Sequence, residues 1–150
     1  MTSITPYLWF HDRAAEAAEF YTGLFPDARV LRSSPNPDGG VQVVELDLAG
    51  QRFALLNGGP TYTLTPAFSL AIAVETQEDV DRYWEALTAD GGEEGQCGWL
   101  VDRFGLSWQV VPEALPRLLS DPATAGPVAQ AMFSMTKLIV ADLEAAAQPA

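Results

Sequence analysis

Cysteine and histidine are almost missing from this chain of 150 residues: Cys97 and His11 are the only ones. A single cysteine closes no internal disulfide, and one thiol with one imidazole cannot build a zinc cage, so any metal site would have to lean on carboxylates. Basic residues are scarce too. Eight stand against twenty acidic ones, a net charge of −12, and a field of that sign repels phosphate backbones and anionic lipid headgroups. Nucleic acid and membrane surfaces are therefore not expected as partners. No stretch approaches the roughly 18 unbroken apolar residues of a membrane span, and Met1 to Phe10 lacks the basic start of a secretory leader. The expectation is a cytoplasmic protein.

What is present is ample core material, with 48% apolar and 10% aromatic residues in a chain long enough to fold without staples. Tyr7 to Phe10 reads as a strand, and Asp12 as the N-cap of a helix over 14–25 in which Ala17, Phe20, Tyr21 and Leu24 recur at spacings of three and four. Strands over 29–33, 41–48 and 53–56 follow, separated by the turn-rich 35–40 and by Ala49-Gly50. The pattern then restarts. Phe68 to Val74 reads as a strand, Thr76-Gln77-Glu78-Asp79 as a capping box, and Val80, Tyr83, Trp84 and Leu87 as a helical stripe. Strands over 97–101 and 106–111 follow, with Glu93-Glu94 read as a solvated turn. Laying Leu8-Trp9-Phe10 over Ile72-Ala73-Val74 brings Phe20-Tyr21 onto Tyr83-Trp84, an offset of 64 slipping to 63. One βαβββ unit thus occurs twice.

The fold expected is α+β. Tandem βαβββ modules, about 1–60 and 66–112, form an open sheet, and 113–150 is a helical extension of the same domain with helices over 113–119, from Pro122, and near 138–147. Val128, Met132, Met135 and Leu138 form an apolar stripe in that extension which needs a cover, and a second copy of the chain would supply one. A homodimer is therefore expected.

Three stretches resemble a known family. Leu56-Asn57-Gly58-Gly59-Pro60, the run from Glu75 to Trp84, and above all the run from Gly95 to Pro112 resemble the PhnB-like group of the vicinal oxygen chelate superfamily, which also carries the label 3-demethylubiquinone-9 3-methyltransferase-like. The resemblance runs from about Pro6 to the last helix. It implies paired βαβββ modules of the glyoxalase-like fold, in a superfamily that includes glyoxalases, extradiol dioxygenases and drug-sequestering proteins of the bleomycin-resistance type. In that pattern a histidine stands seven residues before the aspartate opening each helix, which falls on Thr5 counted from Asp12 and on Ser69 counted from Thr76. The last-strand glutamate falls on Gln109, and 53–57 holds no carboxylate. Two hydroxyls and a neutral amide are poor ligands for iron or zinc. The resemblance therefore implies a member without the usual metal tetrad, and no metal or other cofactor is expected. A glycine-rich strand-to-helix turn of the kind that cradles a nucleotide-like cofactor is also missing, because Gly39-Gly40 and Gly58-Gly59 lie between strands.

Strand alternation turns Leu8, Phe10, Leu70, Ile72 and Val74 toward the helices, leaving Thr5, Tyr7 and Trp9, and Ser69, Ser107 and Gln109, on the opposite faces. Small residues and hydroxyls beside aromatic walls suit a small-molecule pocket, for which a filled core is the alternative. Asn57 and Gln109 are the amides best placed to contact a ligand, unless strand backbone takes their bonds. Cys97 would be a nucleophile only if His11 or a helix terminus activated it, and otherwise is a small apolar residue. Asp102 reads as a turn carboxylate or as an acid or base. The function expected is metal-independent binding or turnover of a small molecule. A metal-dependent lyase or dioxygenase, a methyltransferase-like activity and a structural protein with a filled cleft stand as alternatives.

Overall fold

The alternation of apolar with polar residues in the N-terminal strands requires a helix on one sheet face only, and the chain builds that arrangement twice. A computed structural model describes residues 1–149, which divide into two units, Met1–Leu64 and the remainder from Thr65 onward. In the first, β1 (Tyr7–Phe10), α1 (Ala14–Leu24), β2 (Arg29–Pro35), β3 (Val41–Leu48) and β4 (Gln51–Asn57) form a four-stranded sheet in the order β1-β4-β3-β2. β1 runs parallel to β4, with Trp9 opposite Leu56, and the other pairings are antiparallel. α1 buries Ala14, Ala17, Ala18 and Tyr21. Three alanines let the helix approach the strands closely, above Leu46, Phe53 and Leu55. The β3–β4 hairpin closes through Ala49 and Gly50, both at positive φ (51° and 88°), the conformation that a two-residue turn matched to strand twist requires.

The second unit repeats the plan with β5 (Ser69–Val74), α2 (Gln77–Thr88), β6 (Glu93–Glu94), β7 (Trp99–Val101) and β8 (Ser107–Pro112), in the order β5-β8-β7-β6. α2 sets Val80, Tyr83, Trp84 and Leu87 against the sheet face that carries Leu100, Trp108 and Val110. Its start is capped as expected, with Thr76 Oγ1 accepting the Asp79 N–H at 3.1 Å. The strands make two four-stranded sheets rather than one open sheet.

Several local expectations need correction. Glu93-Glu94 is the short edge strand that completes the second βαβββ set, and Glu94 Oε1 accepts the Trp84 indole N–H at 2.8 Å. Asp12 does not cap α1; Asn57, 43 residues away, does, its Oδ1 accepting the Ala14 N–H at 2.8 Å. In the extension α3 (Ala114–Leu119), α4 (Ala125–Phe133) and α5 (Val140–Ala146) pack on one another within the second unit. Val128 and Leu138 are fully buried there beside Leu115, Leu118 and Leu143, and Met132 and Met135 are half-buried against them, so much of the stripe read as a dimer surface is covered by its own unit. The extension is tied back to α2 by Gln77, whose Oε1 accepts the Val140 N–H at 2.7 Å and whose Nε2 donates to Leu138 O at 3.1 Å.

Candidate functional site

Which side chains share a face follows from the pairing register. In the second unit β5 lies parallel to β8 with Ser69 opposite Ser107 and Ala71 opposite Gln109, and antiparallel β7 sets Trp99 opposite Gln109 and Val101 opposite Ser107. Directly opposed residues point to the same side of a sheet. Two rows, Ser69-Ser107-Val101 and Ala71-Gln109-Trp99, therefore cross the face turned away from α2. Ser69 and Gln109 are half-buried and hydrogen-bonded to each other, with Gln109 Nε2 donating to Ser69 Oγ at 3.0 Å. Ser107 is 1% exposed, and its Oγ has no hydrogen-bond partner among the described residues. A buried hydroxyl without a partner is costly, so it marks either a tolerated defect or a group meant for something that binds. Trp99 escaped the sequence reading. Its place opposite Gln109 depends on the turn between β7 and β8, which periodicity does not set.

That turn is built on Asp102, 2% exposed. Its Oδ1 accepts the backbone N–H groups of Phe104 (2.8 Å) and Leu106 (3.1 Å), and its Oδ2 accepts the Trp108 indole N–H at 2.8 Å. Asp102 is thus the structural turn carboxylate, and through it the register of the two rows is held.

The candidates of the first unit have other work. Asn57 pairs with Phe10 and so faces α1. Besides capping that helix, it donates Nδ2 to Val41 O at 3.0 Å, so both ends of its amide are engaged in holding the fold. Trp9 donates its indole N–H to Gly59 O at 2.9 Å and meets Tyr62 edge-on at 4.9 Å. A Cβ on Gly58 would lie 2.4 Å from the Trp9 ring, which is why a glycine stands there. Tyr7 is exposed on the same face as Trp9, and Thr5 precedes the strand, half-buried. Cys97 and His11 fall in different units. Cys97 sits at φ 59° in a turn whose backbone N–H donates to Met135 O at 2.9 Å, while His11 is exposed.

The three positions where the superfamily pattern would put metal ligands hold a hydroxyl (Thr5), a hydroxyl (Ser69) and an amide already bonded to that second hydroxyl (Gln109). Neutral oxygens of this kind do not fit a resident transition metal. Among the described residues no three His, Cys, Asp or Glu side chains gather as a metal site would require. The strand-to-helix connections, residues 11–13 and 75–76, contain no glycine to admit a nucleotide-like cofactor.

Residues 2–111 match the model of a family described as 3-demethylubiquinone-9 3-methyltransferase. Among solved structures, a PhnB protein from Bacillus cereus is 30% identical, with a TM-score of 0.68 over 74% of this chain and 99% of that one. Protein PA1353 from Pseudomonas aeruginosa is 20% identical (TM-score 0.61, 75% and 98% covered). The fosfomycin resistance protein FosX from Listeria monocytogenes, solved with Mn(II) and sulfate, is 18% identical (TM-score 0.56, 73% and 89% covered) and shares the fold. No curated protein sequence matches the chain.

Proposed function

We propose, from the premise that this chain belongs to the 3-demethylubiquinone-9 3-methyltransferase family, the PhnB-like group of the vicinal oxygen chelate superfamily, that it binds or turns over a small molecule without a resident metal. The ligand rests on the second sheet, on the face that carries Ser69, Ser107 and Gln109. The observation that carries this reading is the Gln109–Ser69 hydrogen bond. It occupies positions that the superfamily pattern gives to metal ligands with two neutral groups able to orient a ligand by hydrogen bonds but not to supply a Lewis acid. Methyl transfer is disfavoured on the same footing, since neither strand-to-helix connection carries glycine.

Protein purified without chelators is expected to contain substoichiometric transition metal, and a small-molecule hit in a thermal-shift screen is expected to survive chelation, because a ligand bound only by the native state raises its apparent stability. Stoichiometric metal whose removal abolishes ligand binding would establish the metal-dependent lyase or dioxygenase reading instead. Self-association is part of the proposal. With much of the C-terminal stripe packed inside its own unit, its support is the two tyrosines Tyr7 and Tyr62, 60% and 63% exposed on the first unit.

A further inference from the structure

Strands β5, β7 and β8 contain no lysine, arginine or histidine. The second unit has four basic residues in all, against thirteen acidic ones. Each of the four is bound to an acid: Arg82 to Asp79 at 3.0 Å, Arg103 to Asp90 at 3.3 Å, Arg117 to Glu144 at 3.4 Å and Lys137 to Asp81 at 2.7 Å. Within this unit an anion resting on the sheet would find no cation that is not already bound to an acid.

The hydrogen-bonding groups that do stand there have a definite complement. The bond from Gln109 Nε2 to Ser69 Oγ uses one donor of the amide and one lone pair of the hydroxyl. It leaves the Ser69 O–H as a donor beside Gln109 Oε1 as an acceptor. A donor next to an acceptor matches the edge of a carboxamide or lactam, whose carbonyl takes the hydroxyl proton while its N–H reaches the Gln109 oxygen. Ala71, exposed and opposite Gln109, leaves room above the strand, and Trp99 across the row offers a flat apolar surface. Ser107, opposite Ser69 on the neighbouring strand, is buried, and its Oγ has no hydrogen-bond partner among the described residues.

We infer that the second-sheet face takes an uncharged planar ligand bearing a carboxamide or lactam edge, and discriminates against the corresponding carboxylate. This rests on the site proposed above and narrows it to one chemical class.

The test is a titration of the full-length, isotopically labelled protein with benzamide and, separately, benzoate. The Trp99 indole and Gln109 side-chain amide signals are followed, assigned by Trp99→Phe and Gln109→Leu. Benzamide is expected to shift both signals and to bind at least about tenfold more tightly than benzoate. Gln109→Leu should weaken benzamide about fivefold, the worth of one neutral hydrogen bond. Ser69→Ala should do the same and serves if the first variant does not fold. Benzoate binding as tightly as benzamide, with the same signals moving, would overturn the ligand class and leave the site standing. If neither probe moves these signals up to its solubility limit, both the class and the site are wrong. Loss of neither hydrogen-bonding group weakening benzamide would likewise overturn the inference.

Discussion

Replacing Asp102 by asparagine changes one oxygen to an NH₂ group and almost no volume, so its effect isolates hydrogen bonding at the β7–β8 turn. If the retained oxygen stays on the Phe104 and Leu106 N–H groups, the new NH₂ faces the Trp108 indole N–H, donor against donor, where 2.8 Å now separates a donor from an acceptor. Losing that bond and leaving a buried donor unsatisfied costs about 1.5–3 kcal/mol, and reducing the two backbone bonds to neutral strength adds about 0.5–1 kcal/mol each. Relief from burying a carboxylate acts in the opposite direction, so a net loss of about 3 kcal/mol is expected. For a chain of this size that lowers Tm by about 10 °C. Urea denaturation followed by circular dichroism measures the loss, with exposed Asp38→Asn as a control expected within about 0.5 kcal/mol of the parent. Trp108→Phe removes the opposing donor, so the double variant should lose less than the sum of the single ones by about 1 kcal/mol or more. A loss below about 1 kcal/mol for Asp102→Asn, or strict additivity in the cycle, would refute the assignment of this carboxylate as the turn's anchor.

Asn57→Ala strips the Ala14 N–H of its cap and frees Val41 O, which should cost about 1–2 kcal/mol in the same denaturation assay. Asp81, hydrogen-bonded by Lys137 and then by Gln77, has its carboxyl held below the ordinary carboxylate range. A lowered pKa in the folded state means that its stabilisation is complete above the ordinary value of about 3.9 and is lost as pH falls through the folded value. The stability gap between the parent and Asp81→Asn should thus be flat from neutral pH to about pH 5 and close below that, and a gap that persists in acid would contradict the pairing. It will be small, since both partners are partly exposed to water. Light scattering should find a dimer whose association tightens with salt, because screening weakens repulsion between chains of charge −12 while leaving apolar burial intact; a monomer in both dilute and high salt would exclude it.

Periodicity carries the fold because each repeat buries one face only. Leu8 and Phe10 on β1, and Val80, Tyr83, Trp84 and Leu87 on α2, announce their elements by the spacing that burial demands, and all of them are buried. Where an element is too short to show a period, that signal fails: Glu93-Glu94 forms a strand through pairing with Val101 and Leu100, not through any pattern of its own. The same limit explains Asn57. Phe53, Leu55 and Asn57 share one parity on β4, so its orientation toward α1 follows from alternation carried one residue further, but its partner at Ala14 is 43 positions away and becomes its neighbour only once β1 pairs with β4. The C-terminal stripe shows a related gap. A run of apolar residues states that a face must be covered, and Leu115, Leu118 and Leu143 cover it from within the unit, which spacing alone cannot distinguish from a second copy.

The candidate site follows the same logic to its end. Gln109 and Ser69 are each legible as polar residues on a face turned from the helix, yet nothing local joins residues 40 positions apart. The parallel register of β5 on β8 joins them, and the Asp102 turn adds Trp99 to the row by setting the antiparallel register of β7. A neutral pair here is consistent with a ligand that carries its own hydrogen-bonding edge. A transition metal at this point would call for carboxylate, thiolate or imidazole donors, which hold it more strongly than a neutral hydroxyl or amide does. Strands β5, β7 and β8 carry no charged residue, and Ser107 lies buried there with its hydroxyl unpartnered among the described residues. Strands without a charged side chain offer an ion of either sign no countercharge of their own, so recognition on this face has to come from hydrogen-bond geometry and shape.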